Sequence, residues 1–203
     1  VLFFEDYSYY IDALIGLYEI TFDEKYLKFA DELTVFSNEK FKEESGFYRF
    51  STNQESLFAD TLINLQDGVT PSANSVMNFN LFRLGHFNGN KNYLSQSKTM
   101  INNVSEVIKE RVTDHLLWLN NSHNYSQKFF EIAVSGNNAI KKAEEIMEEY
   151  LPNALIAASK SESKLYLLKE KHFNDETYIY VCVDNTCKVP VTTVSKALIL
   201  IND

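Results

Sequence analysis

Cysteine is almost absent: Cys182 and Cys187 are the two in 203 residues, too few for a disulfide framework. No apolar run approaches the ~18 residues that a membrane-spanning helix requires, and no charged-then-apolar leader opens the chain, so the expected compartment is the cytoplasm, with no membrane partner. Cations are in short supply. Nineteen Lys and Arg stand against 28 Asp and Glu, and the resulting net charge of −9 argues against nucleic acid, whose phosphates call for a basic surplus. Histidine is scarce too, limited to His86, His115, His123 and His172. In "IAVSGNNAIKKA" a strand, a turn and a helix start could offer backbone N–H groups to an anion, but one glycine falls well short of a dinucleotide or P-loop fingerprint, and an ordinary turn accounts for it. No cofactor is expected. Three Asn-x-Ser triplets, at Asn103, Asn120 and Asn124, are what a chain this rich in asparagine produces by chance. What remains is ordinary for a globular chain with one substantial core or one large and one small packing unit: 45% hydrophobic and 23% charged residues.

Helical periodicity dominates the first part. From Tyr7 the apolar positions Tyr10, Ile11, Leu14, Leu17 and Tyr18 share a face; Thr21 or Asp23 then opens a second helix carrying Tyr26, Leu27, Ala30, Leu33 and Phe36. The pattern returns 67 positions on, with Leu14, Leu17, Tyr26 and Leu27 recurring as Leu81, Leu84, Tyr93 and Leu94, and with a short polar turn between the helices both times ("TFDEK", then "NGNKN"). Two copies of one helical hairpin are therefore expected to superpose. Between them lies a long insertion in which "GFYRFS" alternates like a strand and predicts a small β-hairpin. Short turns at one end and long polar loops at the other favour hairpins closed into a ring, with function at the loop end.

After about Asn120 the period changes. "FFEIAVSG", "NALIAAS" and "TYIYVCV" read as strands, "NNAIKKAEEIMEEYL" and "TTVSKALILI" as helices, and the βαβ connection predicts that the first two strands are parallel. The expected class is mainly α with a small α/β unit: helical hairpins over 1–126, then a βαβ-containing unit over 127–203.

The stretch "DGVTPSANS" runs into an apolar helix. Ser72 or Asn74 suits an N-cap and Pro71 a helix entrance; a cap that also lines a cavity is the alternative to a cap alone. In "CVDNTC", a two-residue turn at Asp184-Asn185 would pair Val183 with Thr186 and set Cys182 opposite Cys187 at a non-hydrogen-bonded position. The pair then reads either as two reduced, buried, space-filling thiols or as a reducible disulfide; two thiolates alone make no zinc site, and no metal is expected.

"EDYSYYIDALIGLYEITFDEKYL", "GFYRFS", "DGVTPSANSV" and "YVCVDNTCKVPVTT", in this order, resemble the C-terminal part of the YyaL-type proteins, a thioredoxin-domain-fused family. The resemblance implies a partial α/α toroid similar to those of N-acylglucosamine 2-epimerases and six-hairpin glycosidases. It also implies a thioredoxin-like domain and further hairpins upstream. Ala73 stands where the family pattern has glycine, and "TLINLQ" carries no charge where the family places charged residues. By analogy with epimerase-like toroids, Glu5, Asp6, Tyr7 and the stretch from Asp67 to Ser75 face one funnel, joined by Phe47 and Tyr48. There a sugar-like small molecule would meet hydrogen-bonding groups of Glu5, Ser72 and Asn74 and the aromatic faces of Tyr7, Phe47 and Tyr48. Asp6 and Asp67 are the candidate acid and base; first-turn carboxylates that merely complement a helix dipole are the plainer reading. The family's epimerase analogues use histidines; here His86 falls at the far turn of the second hairpin, the wrong end of the ring, and His115 and His123 flank Trp118 in a segment that the periodicity does not place. The rival function is a non-catalytic interaction or substrate-presenting module for the thioredoxin-like domain, and the unmatched helical faces of a partial ring predict self-association.

Overall fold

The computed structural model describes residues 1–52, 62–184 and 186–202. Positions 53–61 of the insertion between the hairpins, and Asn185 of the expected turn, lie outside the described residues. The elements run α1 (Phe4–Thr21), α2 (Lys25–Lys40), α3 (Ala73–Asn88), α4 (Lys91–Glu110), a 3-10 turn (Val112–Asp114), α5 (Leu116–Ser126), β1 (Phe130–Ser135), α6 (Ala139–Met147), β2 (Ala154–Ser159), β3 (Tyr178–Val183), β4 (Thr186–Cys187) and α7 (Val194–Asn202). The molecule is mainly α with a small mixed sheet. Two compact units divide it: Val1–Tyr18, Asp23–Gly85 and Asn90–Tyr125 form the first, and Glu19–Phe22, His86–Gly89 and Ser126–Asp203 the second.

Within unit 1 the repeat governs burial. Ser8, Ile11, Leu14, Ile15 and Tyr18 of α1 are buried, and so are their counterparts Ser75, Asn78, Leu81, Phe82 and Gly85 of α3. Two of the expected apolar positions break the equivalence. Tyr10 and Leu17 are exposed, whereas Leu84, the counterpart of Leu17, is fully buried; α3 is wrapped on all sides and α1 is not. Because α3 is enclosed, its polar residues must be paired inside. Asn78 donates to the carbonyl and hydroxyl of Ser97 on α4, Asn121 of α5 donates to Asn78 Oδ1 and to the Ser75 carbonyl, and Asn80 donates to the Ser8 carbonyl on α1. Arg83 pairs with Asp12 and Asn80 and lies over the ring of Phe79. Amide side chains thus cross-link four helices where aliphatic packing would be expected.

The strand expected at "GFYRFS" is not a ladder. Single bridges, Lys42 with Tyr48 and Phe3 with Ser51, fix the segment, because its alternate residues do not face a sheet: Phe47 and Tyr48 are both buried. Tyr48 instead stacks on Phe4, ring centroids 4.5 Å apart and nearly parallel, with Phe41 tilted against Phe4 beyond.

In unit 2 the sheet order is β2-β1-β3-β4, with β1 parallel to β2 and antiparallel to β3. Every residue of β1 is buried, as the apolar run required, and this includes Glu131. Its carboxylate is met by His86 Nδ1 at 2.7 Å. At the turn after β1 the N–H groups of Gly136, Asn138 and Ala139 are taken by Ser159 O, Thr177 Oγ1 and Gly136 O, so the stretch closes as an ordinary turn and those three donors offer an anion nothing.

Candidate functional site

The polar stretch before α3 is a joint. Ser72 is its N-cap, its hydroxyl accepting from the N–H of Ser75. Asp67 lies one loop earlier, and both of its oxygens are used: Oδ1 accepts from Ser72 N at 2.8 Å and from the Ser75 hydroxyl at 2.7 Å, and Oδ2 accepts from Leu117 N at 2.9 Å at the start of α5. One carboxylate therefore stitches the first turns of α3 and α5 together. Asn74 does the same for the bridged loop, accepting from Tyr48 N and donating to the carbonyls of Tyr48 and Asn64. Nearby, Trp118, fully buried, donates its Nε1–H to Leu65 O.

Around this joint lies a cleft of about 230 Å³. Glu5, Tyr48, Ser72 and Asn74 border it, together with Phe4, Tyr9, Phe50, Asn64, Gln66 and Thr70. The Tyr48 hydroxyl is buried between Asn38, to which it donates, and Gln96, from which it accepts. Burial pushes this phenol well above its ordinary range, against the opposing effect of the Gln96 hydrogen bond. Tyr9 donates to the Pro71 carbonyl, which fixes its ring along one wall.

The other candidates fall elsewhere. Asp6 and Tyr7 line a separate open groove of about 660 Å³, with Val1, Leu2, Phe3, Tyr10 and Leu33. Asp67 is not among the side chains lining either recess. Phe47 is buried edge-on against Trp118 at 6.0 Å, and Tyr7 packs on Phe36 and Phe41. His115, unplaced by sequence, precedes α5 and points Nδ1 at the Arg111 carbonyl; Trp118 and His123 lie on α5 itself. In unit 2, Cys182 and Cys187 are joined as a disulfide at the register expected, Cys182 opposite Cys187 and Val183 opposite Thr186. The reading of two reduced, buried thiols is corrected: the cysteines are bonded, and Cys187 is exposed. Among the described residues no cluster of three or more His, Cys, Asp or Glu is placed to hold a metal, and no helix is long and apolar enough to cross a membrane.

No family model matches the chain. Its similarity to curated proteins is nonetheless nearly end to end. The chain is similar to spermatogenesis-associated protein 20. Against the protein of that name from Homo sapiens it is 27% identical over 205 residues, covering 94% of this chain and 26% of the relative. Against the one from Mus musculus it is 25% identical over 204 residues, with the same coverage of each. An uncharacterized protein of Caenorhabditis elegans matches at 31% over 104 residues, 51% of this chain and 14% of its own length. The chain thus spans about a quarter of the length of spermatogenesis-associated protein 20.

Tyr9, Phe50, Asn64 and Gln66 border the cleft without having been singled out in the sequence. Only Tyr9 carried a usable signal: it lies four positions after Glu5 on α1, and residues so spaced share a helix face. Asn64 and Gln66 sit in an extended loop whose course no periodicity describes.

Proposed function

We propose that the chain is part of a YyaL-type protein, and that the cleft before α3 binds a small hydroxylated molecule of sugar or polyol type. The observation that carries this reading is that Glu5, Asn64 and Gln66 border one recess together with the aromatic residues Tyr9 and Phe50; Gln66 Nε2 also donates to Asp114, and Asn64 Oδ1 accepts from Gln66 N. Hydroxyls need acceptors and donors, and a pyranose C–H face needs a flat apolar surface. The role is binding. Asp67 spends both oxygens on protein donors, and Asp6 lines the other groove, so the two carboxylates are not offered as an acid and base pair. The repeated hairpins are proposed as part of an α/α toroid in the longer protein, with a thioredoxin-like domain upstream. To test the binding role, the full chain is titrated with hexoses and polyols to about 50 mM while its amide NMR spectrum is followed. Saturable shifts centred on Glu5, Asn64 and Gln66 are expected, with affinity reduced about tenfold by Glu5→Gln or Asn64→Ala. A panel that leaves those amides unmoved sinks the reading.

A second reading has its own observation. The groove at Val1, Leu2, Phe3, Tyr10 and Leu33 is wide, open and mostly apolar, which suits a protein partner such as a neighbouring hairpin or the thioredoxin-like domain. On this reading the isolated chain self-associates, and Phe3→Asp with Tyr10→Asp returns it to a monomer in sedimentation. A monomer at high concentration before any substitution counts against it.

A further inference from the structure

Unit 2 carries a covalent bond that neither reading of the cleft or groove uses. β4 is only two residues long and both are exposed; it lies at the sheet's edge and pairs with β3 alone. Cys187 is therefore open to solvent, while its partner Cys182 is buried on β3, whose other side is paired with β1. The disulfide closes a loop with a sequence separation of only 5, so it removes less entropy from the unfolded chain than a cross-link over a long loop would. The return segment is anchored without it: Lys188 N donates to Val181 O, Val191 and Ile179 exchange two backbone hydrogen bonds at 2.7 and 3.0 Å, and Lys142 Nζ donates to Thr192 O at 2.6 Å. A bond across a segment that has other anchors, with one sulfur presented and the other sheltered, is placed for exchange.

We propose that Cys182–Cys187 is a thiol–disulfide exchange site that accepts electrons from a dithiol through Cys187. Attack runs along the S–S axis on the accessible sulfur. A donor thiolate bonds to Cys187 Sγ, the Cys187–Cys182 bond breaks, and Cys182 leaves as a thiolate that takes a proton. The donor's second thiol, as thiolate, then attacks its own sulfur in the mixed disulfide and releases Cys187 as a thiolate, which is protonated in turn. Two electrons and two protons pass to this chain, and the dithiol becomes a disulfide. The reduced hairpin loses its cross-link at β4 and keeps the bridge at Val191.

The test uses the full folded chain. Reduced glutathione, a monothiol, is added first, and the mixed disulfide is mapped by mass spectrometry; dithiothreitol is then titrated with the helical circular dichroism monitored. The adduct is expected on Cys187 in about tenfold excess over Cys182, and dithiothreitol should yield two alkylatable thiols with the dichroism unchanged. Hydrogen exchange at the Lys188 amide should quicken about tenfold on reduction, while exchange at the Ile179 and Val191 amides holds. An adduct chiefly on Cys182 overturns the proposal. So does a bond that yields only when the chain unfolds, or a native protein whose thiols stay free under mild oxidant. Cys187→Ser gives a second measurement: Cys182, left as a buried thiol, should alkylate far more slowly than Cys187 does in the reduced parent, and equal rates overturn the proposal.

Discussion

Asp67 shows how much one side chain can be asked to hold. Removing it leaves the Ser72 and Leu117 amides without their acceptor and the Ser75 hydroxyl with the Ser72 carbonyl alone, and a missing charged acceptor for part-buried donors costs several times the net value of an ordinary hydrogen bond. Asp67→Ala is expected to lower unfolding stability by about 2–4 kcal/mol in urea denaturation, and Asp67→Asn, which keeps one acceptor oxygen, by about half of that. If Asp67→Asn proved as stable as the parent, the joint would not depend on this carboxylate. A first-turn or pre-helix aspartate reads identically in sequence whether it faces a ligand or ties two helices. The choice rests on Leu117, some 50 residues away, which no local pattern could bring to it.

At the scale of elements, the helices and strands with one apolar face were legible because burial follows the 3.6 or 2 residue period: β1 and β2 are parallel, and both hairpins stand where the repeat put them. Two elements were not legible in the same way. The buried face of α5 is Trp118, Asn121 and Asn124, and α3 buries Asn74, Asn78, Asn80 and Arg83 among its apolar residues. Hydrophobic periodicity cannot register a face built from hydrogen-bonded amides, so "LLWLNNSHNYS" gave no helix signal. The repeat itself predicts unequal tolerance to a methyl group. A Cβ on Gly85 of α3 would lie 2.6 Å from Leu94 Cδ2 and 3.2 Å from the Leu94 backbone nitrogen of α4, while a Cβ on Gly16 of α1 meets nothing within 4 Å. Gly85→Ala should therefore destabilise by about 1–3 kcal/mol through overpacking. Gly16→Ala should stabilise by about 0.5–1 kcal/mol, because it removes only unfolded-chain freedom. Thermal melts of the two variants should move in opposite directions; a shared direction would mean that the α3–α4 approach is looser than described.

For the molecule as a whole, alkaline pH is the revealing perturbation. Burial raises the phenols of Tyr48, Tyr93 and Tyr125, the last pushed up to about 12, with the Asp31 carboxylate reinforcing the rise at Tyr93. Folding thus favours the protonated phenol at each site. The associated stability is full below the unfolded value of 10.0 and is lost as pH climbs from there toward the folded values. Following phenolate absorbance and circular dichroism together from about pH 8 to about pH 12 should show a group of late-ionising tyrosines whose titration coincides with loss of helix. Simple ionisation of all 12 tyrosines near pH 10 with helix intact would contradict it. The way unit 2 gathers its parts has a consequence for synthesis. Its early pieces, Glu19–Phe22 and His86–Gly89, leave the ribosome long before its strands, and at ~5–20 residues per second the 45 positions from His86 to Glu131 take roughly 2–9 s to translate. For that interval Phe22 and Phe87, buried once the chain is complete, belong to a unit whose sheet does not yet exist. A nascent chain halted before β1 is therefore expected to recruit chaperones, and a stretch of slow codons just ahead of Phe130 would lengthen that exposure without altering a single residue.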